Sequence, residues 1–179
     1  MKVELLHWSD VKELYENEEM KSLLSFNFYI TGVTRACLQE ICRTRIASYS
    51  VKSSRYTLSK DLKNEEQFTD LFKDKERASK YIRFTNNDSV DTASMLALEN
   101  LRCLVLEGIS NDVLKYAMPE CYLVDLAMTV NFDGLYNFLE LRTSSHALAE
   151  IRELAYNIFD VLPEEVKDLF EPAIYKKEV

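Results

Sequence analysis

Hydrophobic and polar positions along this chain predict short strands and amphipathic helices in an irregular order. Residues 3–8 and 25–33 are rich in β-branched and aromatic side chains and are predicted to form strands. Residues 35–45 and 89–107 carry apolar side chains at helical spacing, and Gly108 is predicted to end the second of these helices. Because strands and helices do not alternate regularly, the pattern favours the α+β class.

The remaining segments show the same two kinds of pattern. A helix is predicted to begin at Ser9, a favourable N-cap residue, and to reach about residue 20. The other predicted elements are an extended segment at 47–57, a polar surface excursion with short helices at 58–88, a short helix at 110–116, a strand at 121–130, and helices at 132–141 and 148–161.

The composition is typical of a globular protein. The chain has 179 residues, of which 47% are hydrophobic and 29% charged, and a single domain spanning residues 1–179 is expected. The longest apolar runs are too short to cross a bilayer and the first residues lack the apolar core of a signal peptide, so we expect a cytoplasmic protein without a membrane partner. The four cysteines show no Cys-x-x-Cys spacing and the two histidines are far apart, so no metal site is predicted.

One segment of this acidic chain is rich in cations. The formal net charge is −8, yet residues 43–60 contain no acidic residue and carry five cations among serine, threonine and tyrosine hydroxyls. Arginine forks and serine hydroxyls suit phosphate or another anion. The alternative is a solvated cationic surface strand, and composition alone does not separate the two. The overall acidity argues against a nucleic-acid surface, whereas a single nucleotide needs only one local cationic pocket.

The order of residues in this segment matches a known signature. Arg43-x-Arg45, followed after seven residues by Ser53 and then by Arg55-Tyr56, resembles the motif of flavin-dependent thymidylate synthases, the thymidylate synthase-complementing proteins. Other stretches that are similar to this family are residues 30–36, Asn131, Asn137, Leu141-Arg142 and residues 146–152.

The resemblance implies a fold, an assembly and a reaction. The fold would be α+β with a mixed sheet and long helices, in a homotetramer whose active sites are shared between subunits. FAD would be the cofactor, with NADPH and methylenetetrahydrofolate as co-substrates, and a one-carbon unit would be transferred to C5 of dUMP and reduced. The cofactors carry most of this chemistry, so the protein would bind and orient them.

The resemblance also implies roles for individual residues. Arg142 matches the arginine that meets the uracil base and is the expected catalytic residue, while Ser53 and Arg55 match residues that hold the nucleotide phosphate. The residues expected to bind the nucleotide are Glu40, Arg43, Ser53, Ser54, Arg55, Lys115 and Arg142. The residues expected to bind the flavin are Arg43, Thr44, Arg45, Asn131 and Asn137. For the two asparagines, helix capping is the alternative role.

Several positions depart from the usual pattern of the family. Thr44 stands in place of a histidine, Asp133 in place of an arginine, Lys115 in place of a phosphate-binding arginine, and Leu23-Leu24 in place of an acid and a histidine. Because these changes affect flavin contacts more than phosphate contacts, we expect a lowered affinity for FAD. The alternative hypothesis is a divergent homologue that modifies another pyrimidine nucleotide, such as dCMP, or only binds a nucleotide.

Glu40 stands where the family commonly has glutamine. A carboxylate offers hydrogen-bond acceptors only, so Glu40 could accept from the exocyclic amine of a cytosine. The alternative is that Glu40 turns away from the base, or pairs with Arg43 or another nearby cation.

Overall fold

A computed structural model describes residues 1–175 of the chain. In this part of the chain there are four strands and nine α-helices. The strands are β1 (Lys2–Trp8), β2 (Ser25–Thr34), β3 (Ala47–Val51) and β4 (Leu123–Asn131). The helices are α1 (Lys12–Glu16), α2 (Arg35–Ile41), α3 (Ser54–Leu62), α4 (Leu71–Ala78), α5 (Asp88–Leu106), α6 (Asn111–Leu114), α7 (Phe132–Arg142), α8 (Ala149–Asp160) and α9 (Glu164–Phe170).

The strands form one sheet in the order β1-β2-β4-β3. The pairs β1–β2 and β3–β4 are antiparallel. Strands β2 and β4 also run in opposite directions, because Asn27 near the start of β2 accepts from Thr129 at 2.7 Å, while Gly32 near its end donates to Asp125 at 3.0 Å. The α+β class is therefore confirmed, but the sheet is antiparallel and the expectation of a mixed sheet was wrong. Antiparallel neighbours need no crossover helix, which agrees with the irregular order of elements.

The chain divides into two compact units. Of the described residues, the first holds 1–33, 37–51 and 125–175, and the second holds 34–36 and 52–124. The expectation of one domain spanning residues 1–179 stays a prediction.

The core of the first unit is built around the aromatic residues of β2. Phe26 and Phe28 are fully buried, and Phe170 of α9 meets Phe26 edge to face with ring centroids 5.6 Å apart. Helices α7 and α8 add further buried side chains, namely Leu135, Phe138, Leu139, Ile151, Leu154 and Ile158. The sequence pattern predicted these two helices but not α9, which begins after Pro163.

The core of the second unit includes residues that the sequence pattern placed at the surface. Residues 58–88 were predicted as a polar excursion, yet Leu58, Leu62, Ala78 and Ile82 are fully buried. They join one hydrophobic cluster with residues of α5, among them Met95, Leu98 and Leu101. The prediction of a surface position was wrong because the apolar side chains of this segment are few, although the spacing of Leu58 and Leu62 puts them on one helical face. The short helices predicted here are present, as α4 and the end of α3.

Three helix boundaries differ from the predicted ones. The first helix covers only Lys12–Glu16, because the Ser9 hydroxyl accepts a hydrogen bond from the backbone of Ser25 at 3.1 Å instead of capping a helix. Helix α2 ends at Ile41 rather than at Arg45. The segment 47–57 is extended only to Val51, and α3 follows from Ser54. Long helix α5 begins near the predicted position, and Gly108 beyond its end has a φ of 79°, as its role as a helix stop requires.

Residues 1–175 contain neither a helix suited to cross a membrane nor a cluster of side chains suited to bind a metal ion. None of the helices in this range combines the length and the apolar character that crossing a membrane requires. The same range holds no group of three or more His, Cys, Asp and Glu side chains arranged to bind a metal ion.

Candidate functional site

The predicted site residues divide between the two units of the chain. The first unit carries Glu40, Arg43, Thr44, Arg45, Asn131, Asn137 and Arg142. The second unit carries Ser53, Ser54, Arg55 and Lys115.

The two motif arginines of the first unit lie on a tight turn between α2 and β3. The turn is closed by Tyr49, whose hydroxyl donates to the carbonyl oxygens of Ile41 at 2.8 Å and Thr44 at 3.4 Å. Burial raises the pKa of this hydroxyl, so it stays a protonated donor at neutral pH. Since the turn is held from inside the protein, the side chains of Arg43 and Arg45 are left exposed.

This turn and one side of α7, from Asp133 to Leu141, line a cavity of about 510 Å³. Its lining residues are Arg43, Thr44, Arg45, Ile46, Asp133, Gly134, Asn137 and Leu141. Two guanidinium groups and an amide offer donors to an anionic or carbonyl-rich ligand, and the aliphatic side chains offer an apolar wall. Asp133 brings one negative charge to the same cavity, which opposes binding of an anion. The structure thus brings together four of the five residues predicted to bind the flavin.

The fifth residue, Asn131, has a structural role at the start of α7. Its side-chain oxygen accepts from the backbone N–H of Gly134 at 3.0 Å, and its side-chain nitrogen donates to the carbonyl of Ser22 at 3.2 Å. This is the capping role that was the alternative for this residue. A Cβ at Gly134 would lie 2.8 Å from the Ile46 carbonyl, so glycine permits close approach of the turn to α7. Asn131 therefore shapes the cavity by orienting α7, and direct contact with a flavin stays a prediction.

Arg142, the predicted catalytic residue, is the last residue of α7 and is paired with Glu40. Its Nη1 donates to Glu40 Oε2 at 2.8 Å, and its Nη2 donates to the Glu40 carbonyl at 3.1 Å. Arg43 donates to the other carboxylate oxygen at 3.3 Å. This arrangement is the ion pairing that was the alternative to a cytosine contact for Glu40.

In the second unit, Ser53 occupies the N-cap position of α3. Ser53 has the extended backbone typical of that position, with φ −80° and ψ 113°. In the described part of the chain its hydroxyl makes no capping hydrogen bond, so it stays available to a ligand. Ser54 and Arg55 form the first turn of the helix, where backbone N–H groups point outward and favour an anion. Ser54 and Arg55 are thus helical rather than extended, while Ser53 keeps the extended backbone of an N-cap residue.

Arg55 forms an ion pair with Asp112 of α6. Its Nε and Nη2 donate to the two carboxylate oxygens, the second bond measuring 3.4 Å. Asn111 ties the same helices together, since its side chain donates to the Arg55 carbonyl at 2.8 Å and accepts from the Ser59 N–H at 3.2 Å. The hydrogen bond with Asp112, together with its charge, raises the pKa of Arg55.

The ion pair borders a cavity of about 670 Å³ in the second unit. The polar lining residues are Arg55, Tyr56, Ser59, Lys63, Ser110, Asn111 and Asp112. Lys115 lies beyond α6 in the 3-10 turn Lys115–Ala117 and is exposed. An anion at Arg55 therefore competes with Asp112 for the guanidinium group.

Asp112 and Gly134 are functional candidates that sequence reasoning missed. Asp112 follows Ser110 and looks like an ordinary acidic residue in the first turn of a helix. Its partner Arg55 is 57 residues away, so the local pattern gives no signal of the pair. Gly134 is one of only three glycines in the chain and lies inside a predicted helix, where a glycine needs a packing reason.

Comparisons with known proteins relate the chain to one protein family by sequence and by fold. A family model described as thymidylate synthase complementing protein matches residues 15–166. The chain is 54% identical over 147 residues to a protein from Wolinella succinogenes named flavin-dependent thymidylate synthase. The aligned region covers 82% of this chain and 71% of that protein. A protein of the same name from Campylobacter jejuni is 49% identical over 153 residues, covering 86% of this chain and 72% of that protein.

A solved structure is similar over almost the whole chain. It is a crystal structure of thymidylate synthase X from Helicobacter pylori with FAD and dUMP. The TM-score is 0.90 at 38% sequence identity, covering 98% of this chain and 100% of that chain.

Proposed function

Because the chain belongs to the thymidylate synthase complementing protein family, we propose that it is a flavin-dependent thymidylate synthase. It transfers a one-carbon unit from methylenetetrahydrofolate to C5 of dUMP and reduces that unit with electrons from NADPH, with FAD as the cofactor. The observation that carries this proposal is the match in both sequence and fold to relatives of that name, one of them solved with FAD and dUMP.

The residues of the first-unit cavity fit an anionic flavin nucleotide. Arg43, Arg45 and Asn137 present N–H donors, and Leu141 and Ile46 add apolar surface that suits a ring system. When bound, FAD supplies the electrons that reduce the one-carbon unit. The chain's own part is to hold the flavin through these donors and to exclude water with the aliphatic wall.

The phosphate of the nucleotide is assigned to the N-terminal turn of α3. Ser53 supplies a hydroxyl that is not used for capping, the first turn supplies backbone N–H groups, and Arg55 supplies a planar fork of donors. Lys115 adds a compact positive charge without the fork.

In the active sites that the proposed homotetramer would share between subunits, the base of the nucleotide is assigned to Arg142. Its guanidinium group is held by Glu40 through two hydrogen bonds, which leaves N–H donors for the carbonyl oxygens of uracil. Since the Glu40 carboxylate is taken up by arginines, the structure favours dUMP over dCMP as the substrate.

The thiols of the chain support a mechanism in which the cofactors, not a cysteine, carry the chemistry. Burial raises the pKa of Cys42 and of Cys121, so less thiolate is present at neutral pH. The protein is left with binding, orientation and electrostatic stabilisation.

Replacing Asp112 with asparagine is expected to strengthen dUMP binding by roughly two- to five-fold, the range typical of an exposed ion pair. The reason is that the nucleotide phosphate must displace the Asp112 carboxylate from Arg55. Calorimetric titration with dUMP measures the change, and deoxyuridine, which lacks the phosphate, serves as the control ligand. Weaker dUMP binding by the variant would instead mean that Asp112 holds Arg55 in its binding position.

Replacing Asp133 with asparagine is expected to raise the affinity for FAD by about three- to ten-fold, because it removes the negative charge from a cavity assigned to an anionic cofactor. The wild-type chain is correspondingly expected to lose FAD during extensive dialysis more readily than is usual for the family. Quenching of flavin fluorescence measures the affinity, and Glu140→Gln, an exposed change on the same helix, is the matched control. An unchanged dissociation constant in Asp133→Asn would place the flavin away from this residue.

The finer features of the proposal follow from the family. NADPH and methylenetetrahydrofolate act as co-substrates, the chain assembles as a homotetramer with shared active sites, and it works in the cytoplasm. The exposed apolar side chains at the rim of the first-unit cavity, Ile46 and Leu141, support an assembly that covers this surface.

A genetic experiment tests the proposed function in cells. The gene is expressed in a bacterial strain that requires thymidine because it lacks thymidylate synthase. Growth without thymidine is expected for the wild type and not for Arg142→Ala. Failure of the well-expressed wild type to support growth would count against the activity.

A further inference from the structure

The carboxylate of Glu40 lies between two arginines of the first unit. One oxygen accepts from Arg142 at 2.8 Å and the other accepts from Arg43 at 3.3 Å. Arg142 reaches the same residue a second time, through the Glu40 carbonyl at 3.1 Å. Glu40 therefore binds Arg142 through two different acceptors, its carboxylate and its backbone carbonyl.

The two ion pairs differ in strength of contact and in exposure. The side chains of Arg142 and Glu40 are 17% and 27% exposed, whereas that of Arg43 is 71% exposed. A short, partly desolvated ion pair contributes more stabilising free energy than a longer ion pair in solvent. Arg43 can therefore leave Glu40 for a ligand at little cost, while Arg142 stays in place.

The contact with the Glu40 carbonyl has its own physical reason. Helix α2 ends at Ile41, so the Glu40 carbonyl belongs to the last turn, where carbonyl groups lack i+4 helical partners, and its backbone hydrogen bond is a long one of 3.4 Å from the Arg43 N–H. A guanidinium group at this end also meets the negative end of the helix dipole. Because the two bonds use different nitrogens of the fork, they define both the position and the plane of the guanidinium group.

We infer that Glu40 is a positioning residue, which acts on the pyrimidine base by holding Arg142 and does not itself touch the base. The inference rests on the proposed function, in which Arg142 meets the uracil. Two of the five N–H groups of Arg142 are used by Glu40, so three remain for a ligand. A glutamine here would accept with a neutral oxygen and would hold the guanidinium group less firmly.

The test is a calorimetric titration of the wild type, Glu40→Gln and the control variant Glu140→Gln. The ligands are dUMP, dCMP and 2-deoxyribose 5-phosphate, which has no base. In Glu40→Gln we expect dUMP and dCMP to bind about ten-fold more weakly, with the ratio of their affinities unchanged. Binding of the sugar phosphate is expected to stay at the wild-type value, because it lacks the base that Arg142 would contact. In Glu140→Gln all three affinities are expected to stay at the wild-type value.

A double-mutant cycle with Arg142→Ala separates positioning from a general structural role. If Glu40 acts through Arg142, then adding Glu40→Gln to Arg142→Ala causes no further loss of dUMP affinity. Equal losses in both backgrounds would overturn the inference. Glu40→Asp keeps the charge, but its shorter side chain cannot make the same 2.8 Å contact with Arg142, so it is expected to lose dUMP affinity as Glu40→Gln does, and it tests the same point if Glu40→Gln does not fold.

The remaining outcomes are distinguishable. A shift of the dUMP to dCMP ratio by several-fold in Glu40→Gln would mean that Glu40 touches the base, which contradicts the inference alone. Normal dUMP binding by Glu40→Gln would also contradict the inference alone. Absence of dUMP binding by the wild type would overturn the proposed function as well.

Discussion

Replacing Arg55 with alanine is expected to weaken dUMP binding by at least about ten-fold, because each lost charge-assisted hydrogen bond to a phosphate has a large effect on affinity. The change also releases Asp112 from its ion pair. A free carboxylate beside the phosphate then adds repulsion, so the double variant Arg55→Ala/Asp112→Asn is expected to recover part of the loss.

The matched control for this prediction is Lys52→Ala. Lys52 belongs to the same cationic segment but precedes the N-cap residue of α3, so its loss is expected to have a much smaller effect. Titration with dUMP and deoxyuridine measures both variants. Equal losses in the two would indicate a diffuse basic surface and would contradict a specific phosphate site at the start of α3.

Replacing Arg102 with alanine is expected to destabilise the protein by about 3 kcal/mol, because it leaves a buried carboxylate without its charged partner. Arg102 donates to both oxygens of Glu99 at 2.8 and 2.7 Å, and the side chains are only 10% and 12% exposed. Glu99 in turn accepts from the backbone N–H of Phe68 at 3.0 Å. The pair thus connects α5 to the loop that precedes α4.

Chemical denaturation at neutral pH measures this change in the free energy of unfolding. The double variant Glu99→Leu/Arg102→Met removes both charges and is expected to recover most of the stability. If the free energy of unfolding of the single variant Arg102→Ala stays within about 1 kcal/mol of the wild-type value, solvent compensates for the lost partner of Glu99.

The loss of stability caused by Arg102→Ala is expected to depend on pH. Burial alone would raise the pKa of Glu99, but hydrogen bonds from Arg102, the Phe68 N–H and Cys103 outweigh it and lower the pKa below its usual value. A carboxyl group whose pKa is lower in the folded than in the unfolded protein contributes stability at pH values above its unfolded pKa. This contribution is lost as the pH falls through the folded-state pKa. Without Arg102 the carboxyl group protonates more readily, so the difference in stability between variant and wild type is expected to shrink in acid.

Sequence pattern predicted the elements whose structure follows from local preference. Strand β2 was predicted from its aromatic and β-branched residues, and α5 from a long apolar repeat that ends at Gly108. The end of α2 could not be predicted in the same way, because the turn after it is closed by the hydroxyl of Tyr49, a contact made only once β3 has folded back. The start of α3 was readable in principle from Ser53 as N-cap and from the spacing of Leu58 and Leu62.

The candidate site was predictable to the extent that it lies in one segment or carries a motif. The concentration of cations between residues 43 and 60 pointed to Arg43, Arg45 and Arg55. Their acidic partners were not predictable, since Glu40 meets Arg142 across 102 residues of chain. Opposite charges that are distant in sequence give no local periodicity, and only the folded chain shows which pairs form.

The most direct test of the central claim is the formation of labelled dTMP. Purified protein loaded with FAD is incubated with dUMP, NADPH and methylenetetrahydrofolate that carries ¹³C in its one-carbon unit, and the nucleotides are analysed by mass spectrometry. We expect dTMP that contains the labelled carbon, formed by the wild type and reduced at least about a hundred-fold in Arg142→Ala. Recovery of unchanged dUMP from the wild type, with FAD and all substrates present, would contradict the assignment as a flavin-dependent thymidylate synthase.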